Sequence, residues 1–102
     1  MEDLNYRFQS ELIISVSKKG TAWHFLVVPK DDADHMRFFA AHLQRGFKSL
    51  KVDVTIGETS WRTSVFPSSD RGSYILPVKK NVRDREGLSA GDRVEVALKV
   101  IE

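Results

Sequence analysis

The densest charge chemistry in this sequence lies in "LPVKKNVRDRE" (76–86), where Lys79, Lys80, Arg83 and Arg85 crowd around Asp84 and Glu86. A guanidinium offers a planar two-pronged donor and an ammonium a compact point charge. Arg83 with Lys79 and Lys80 is therefore a candidate grip for a phosphate or carboxylate. The competing role for Arg83 is structural: an ion pair to Asp92 would pin a helix over 79–86 to the Gly91-Asp92 turn that follows it. The architecture of such a corner favours the structural role. A second set is carried by "SWRTS" (60–64) and "FPSSDRG" (66–72). If Trp61 lies on the open face of its strand beside Arg62 and Ser64, its indole can stack a base or a small planar ligand. Ser68 and Arg71 then form a polar rim on a loop held by a rigid scaffold. The bland alternative for Trp61 is a plug in the end of a small barrel.

Other chemistries find less support. His35 and His42 lie about 10 Å apart along a helix axis, too far to share one ion held at about 2 Å from each nitrogen. His35 is expected to pair with Asp31 or Asp32 on the helix surface instead. No metal and no cofactor is expected. Serines at 60, 64, 68 and 69 sit in no nucleophile elbow, and the six glycines fall singly at turns, with no phosphate-cradling run. The chain is therefore expected not to be an enzyme. The absence of cysteine excludes disulfides and thiolate chemistry, which fits a reducing cytoplasm. No apolar run approaches the length of about 20 residues that spans a membrane. The acidic start "MEDLNYRFQSEL" lacks the basic residues of an export signal.

The elements that must position these residues read clearly. Residues 7–17 alternate, with Phe8, Leu12, Ile14 and Val16 on one face, and predict a half-buried strand. A turn at Gly20 leads to a strand over 22–28 that Pro29 stops. Residues 31–46 predict a helix with Asp31 at its start, Ala33, Met36 and Leu43 at helical spacing, and Gly46 at its end. Strands follow at 50–56, 59–66 and 73–78, then the helix at 79–86 closed by Gly87 and Leu88. The last strand covers 93–101, with Val94, Val96, Leu98 and Val100 inward. The order is β-β-α-β twice. "FLVVPK" (25–30) answers "YILPVK" (74–79), and Val52-x-Val54 answers Val94-x-Val96, which suggests an internal repeat. At 102 residues the chain is expected to form one mainly β domain, a small six- to seven-stranded double-split β-barrel with two helices.

Leu76, Pro77, Arg83, Gly87, Leu88, Gly91, Asp92, Val94 and Val96 resemble the strand-helix-strand pattern of swapped-hairpin proteins of the AbrB and MazE type. Over nearly its full length the chain also resembles a bacterial family known as domain of unknown function 1905. That resemblance is carried by Trp61, Thr63, Ser64, Phe66, Pro67, Gly72, Tyr74, Leu76, Pro77, Arg83, Gly91 and Asp92, with Trp23 and Pro29 upstream. It implies a small β-barrel and no established activity. The expectation is a cytoplasmic, monomeric binding module for a small anionic ligand or a protein partner, engaged through Trp61, Arg62, Ser64, Ser68, Arg71, Lys79, Lys80 and Arg83. The alternative is a DNA-binding regulator of the AbrB/MazE type. A formal charge of only +2 and a first hairpin offering only Lys18 and Lys19 make nucleic acid the less favoured partner.

Overall fold

The computed structural model describes residues 4–42 and 48–101, with the side chains of residues 41 and 42 left aside. The elements run β1 (Asn5–Glu11), β2 (Ile13–Val16), β3 (Ala22–Val27), α1 (Lys30–His42), β4 (Leu50–Ile56), β5 (Thr59–Ser68), β6 (Ser73–Pro77), α2 (Lys80–Glu86) and β7 (Arg93–Val100). The strands join in one sheet of order β1-β7-β4-β5-β6-β3-β2, with every neighbouring pair antiparallel.

The two edges of that sheet are halves of one run of chain. β1 pairs with β7 as far as Glu11↔Arg93, and from Ile13↔Phe25 onward β2 pairs with β3. Leu12 is the joint between them. Its N–H donates to Asp92 O and its carbonyl accepts from Gly91 N–H, both at 2.8 Å, while its side chain is fully buried. The Ser10 hydroxyl donates to Val27 O at 2.8 Å across the seam. The sheet thus curls until one run of chain, β1 and β2, supplies both of its edge strands and ties its ends together.

β5 is split in the same way. Its first part pairs with β4 up to Val65↔Leu50, and from Phe66↔Ile75 it pairs with β6. The likeness extends to the centre of the β3–β6 pair, where Leu26 faces Leu76. There Val28 N–H donates to Tyr74 O and Val78 N–H donates to His24 O, both at 2.9 Å. The helices open at Lys30 and Lys80, at matching points beyond those valines. The two β-β-α-β halves therefore share their pairing pattern as well as their element order, as the repeat in the sequence suggests.

Alternation does most of the sorting. Leu50, Val52, Val54 and Ile56 on β4, and Val94, Val96, Leu98 and Val100 on β7, are buried, with lysines, acids, Thr55 and Ala97 between them. Ala33, Met36 and Ala40 lay the inner stripe of α1 on this core, and Val82 does so for α2. Gly87 takes a left-handed conformation (φ 64°) and donates to Arg83 O. Leu88 N–H donates to the same oxygen at 2.9 Å, and the Leu88 side chain folds back onto the core.

Three expectations need correction. The strand over 7–17 is broken at Leu12, and Ile14 and Val16 are 46% and 62% exposed, because β2 leaves β7 and runs past the core with β3. α1 begins one residue early, at Lys30, with Pro29 O accepting from Ala33 N–H at 2.8 Å where an Asp31 cap was expected. β5 runs on through Pro67 to Ser68, since its second half gains β6 as a partner. The Leu43 and Gly46 positions lie outside the described residues. His35 bonds the Tyr6 hydroxyl at 2.6 Å and packs edge-on against that ring, which ties α1 to β1. Asp32 still feels His35 electrostatically, although burial first and Asp31 second hold its carboxyl above the ordinary range.

Candidate functional site

The eight residues singled out in the sequence fall into separate places. Trp61 lies opposite Val54 on the inner side of β5 and packs, partly buried, against the core. Alternation then sends Arg62 and Ser64 to the outer face, away from Trp61. Arg62 sits opposite Asp53 and forms a two-pronged pair, Nε to Oδ1 at 2.9 Å and Nη2 to Oδ2 at 3.4 Å. That hydrogen bond holds the Asp53 carboxyl below its ordinary value. "SWRTS" therefore divides between a ring packed on the core and an ion-paired outer face.

Ser68 and Arg71 do come together, with partners the sequence did not single out. Strand β3 turns Trp23 and Phe25 to the outer face of the sheet, where their rings lie 4.6 Å apart at 32°. Phe25 is 4% exposed yet stands apart from the main core, because Trp23 and the Arg71 side chain cover it. The Arg71 guanidinium carbon is 5.1 Å from the centre of the Phe25 ring, within cation–π range. Ser15, Ser68, Asp70 and Ile75 complete a groove of about 470 Å³ floored by these rings. One signal in the sequence marks it: "AWHFLVV" is apolar at nearly every position, the pattern of a strand covered on both faces.

Lys79, Lys80 and Arg83 form the third place, at the start of α2. Arg83 does not reach for Asp92, as the structural reading expected. Its Nε donates to Val78 O at 3.2 Å, and its Nη1 lies 3.5 Å from His24 Nε2. The Asp92 carboxylate instead accepts from Ser89 N–H at 2.8 Å and closes its own turn. The physical reason is local: the Gly91-Asp92 turn is already satisfied by Ser89 and Leu12, so it needs no guanidinium. His24, Lys79, Lys80 and Arg83 line a pocket of about 250 Å³ with Trp23 at its edge. Burial first, and the Arg83 charge second, depress the His24 pKa below the ordinary 6.5. Trp23 lines both this pocket and the aromatic groove.

Among the described residues no three His, Cys, Asp or Glu side chains converge as a metal site, and no helix is long and apolar enough to cross a membrane. The fold and the site together define a mainly β, barrel-like domain carrying an outward aromatic groove beside a cationic pocket. The chain belongs to the family described as Domain of unknown function (DUF1905), whose model matches residues 8–98. No curated protein matches the chain.

Proposed function

We propose that this protein is a non-enzymatic binding module whose groove takes a small ligand combining a flat apolar ring with an anionic group. The observation that carries this reading is the outward Trp23–Phe25 pair with Arg71 held over it. The exposed Trp23 ring supplies a stacking surface, and the Arg71 guanidinium that covers Phe25 beside it supplies a bidentate anion donor. Ser15 and Ser68 add hydroxyls at the walls. The wall is mainly polar, with Ser15, Ser68, Asp70 and Arg71 set around the ring surface, so orientation of a ligand falls to hydrogen bonds and charge. Of the histidines whose side chains are described, His24 turns toward Arg83 and His35 toward Tyr6.

The test is a titration of the isotopically labelled chain with a panel of aromatic carboxylates and nucleoside monophosphates. We expect at least one member to shift the Trp23 indole and the Ser68 and Arg71 amides, and Trp23→Ala or Arg71→Ala to weaken it about tenfold or more. The control Trp61→Phe should leave that affinity unchanged. A panel that moves none of these signals at millimolar concentration removes the small-ligand reading. Salt-sensitive binding of random duplex DNA in its place would favour the regulator alternative.

A further inference from the structure

His24 sits among cations. Across β2 it faces Ile14, from β6 it meets the Pro77–Val78 segment, and from the α2 side it meets Lys79, Lys80 and Arg83. No carboxylate lines this pocket. Lys80 has a neighbour in Asp84 at 2.7 Å, but among the described residues neither Lys79 nor Arg83 lies within ion-pair distance of an acid. Arg83 can only donate, so the 3.5 Å contact favours the tautomer in which His24 Nε2 accepts and Nδ1 carries the proton. That Nδ1 is buried and has no hydrogen-bond partner. The pocket therefore holds uncompensated positive charge around an open space of about 250 Å³, with a titratable ring at its wall.

We propose that this pocket is a proton-linked oxyanion site, in which a tetrahedral dianion binds against Arg83 and Lys79 and His24 takes up a proton as it binds. Without an anion, the guanidinium opposes a second positive charge on the ring. A dianion over Arg83 reverses the sign of that local field, and the imidazolium becomes the favoured form. Linkage makes the effect reciprocal: protonation of His24 strengthens anion binding by the factor by which the anion favours the proton. The site is distinct from the aromatic groove and stands or falls apart from it.

The test uses the full chain labelled in its histidine rings, titrated with sodium sulfate against sodium chloride at constant ionic strength. Sulfate stays a dianion between about pH 5 and 8, so any dependence on pH belongs to the protein. We expect a saturable shift of the His24 ring and the Arg83 side chain. Affinity should fall by up to about tenfold per pH unit as His24 deprotonates. The His24 titration midpoint should move upward in sulfate. Arg83→Gln should abolish the response, and His24→Gln should keep weaker binding with a flat pH profile. If glycerol phosphate binds tighter than sulfate or inorganic phosphate, the natural group is a phosphomonoester; equal binding points to the free ion. The proposal is overturned if sulfate and chloride act alike on wild-type His24, a reading that needs no variant. It is equally overturned if the pH slope survives in His24→Gln.

Discussion

Leu12 and Val16 occupy the same phase of one alternating run, yet the structure gives them opposite fates. Leu12 is fully buried at the joint where the sheet is tied, and Val16 is 62% exposed on β2 beyond the core. Leu12→Ala keeps the two backbone hydrogen bonds to the Gly91-Asp92 turn and deletes only side-chain packing. A buried leucine truncated to alanine costs about 2–5 kcal/mol, through lost transfer energy and the cavity left behind. With a urea slope of about 1.5 kcal/mol per molar, a loss of 3 kcal/mol lowers the midpoint by about 2 M. Val16→Ala removes mostly hydrated surface and should change stability by no more than about 0.5 kcal/mol. Equilibrium urea unfolding followed by the fluorescence of Trp23 and Trp61 reads both variants on one scale. A Val16→Ala loss comparable to that of Leu12→Ala would refute the reasoning, because it would place β2 in the core and leave the sheet untied. A Leu12→Ala loss below about 1 kcal/mol would refute it from the other side.

Two further perturbations test local features. Gly57, in the β4–β5 turn, has φ 59°, and a methyl group there would overlap the Glu86 carboxylate, which accepts from the Thr59 hydroxyl at 2.6 Å. Gly57→Ala should therefore cost about 1–3 kcal/mol, from left-handed strain plus displacement of Glu86. Gly20→Ala, at φ 85° but with open space around it, should cost less; equal losses in thermal melts would remove Glu86 from the account. His24 has its pKa held below 6.5, so the unfolded chain binds its proton first as the solution is acidified. The stability contributed by neutral His24 is complete above pH 6.5 and is lost as pH falls through 6.5 toward the lower folded value. In sulfate-free buffer, the difference in urea stability between wild type and His24→Gln should shrink on that acid side; a difference that grows there would contradict the burial of a neutral ring.

Much of the fold was legible because the side-chain period of a strand is local. Val52 and Val54, Val94 and Val96, and the Gly87-Leu88 helix stop need only their neighbours to declare what they are. The site was less legible. Ser68 and Arg71 were identified, and so was the Lys79–Arg83 cluster, but Phe25 and His24 were missed as their partners. Trp61 and Arg62 were grouped because they are adjacent in sequence, and adjacency on a strand places two side chains on opposite faces. Arg83 and Asp92 suggested an ion pair because their charges are opposite; the turn at Asp92 had closer partners in its own backbone.

The sequence alone determined the elements, their order, the inner stripes of β4 and β7, and the doubling of a β-β-α-β unit. Those properties depend on periodicity and on residues such as Gly87 that act on the chain next to them. Only the tertiary structure decided that β1 and β2 serve different neighbours, that Trp23 and Phe25 share a groove with Arg71, and that Arg83 meets His24. Strand pairing is chosen among segments far apart in the chain, by how all the apolar faces can be buried at once. The outward aromatic pair and the cationic pocket are consequences of that collective choice; the local pattern of "AWHFLVV" marks only a strand covered on both faces.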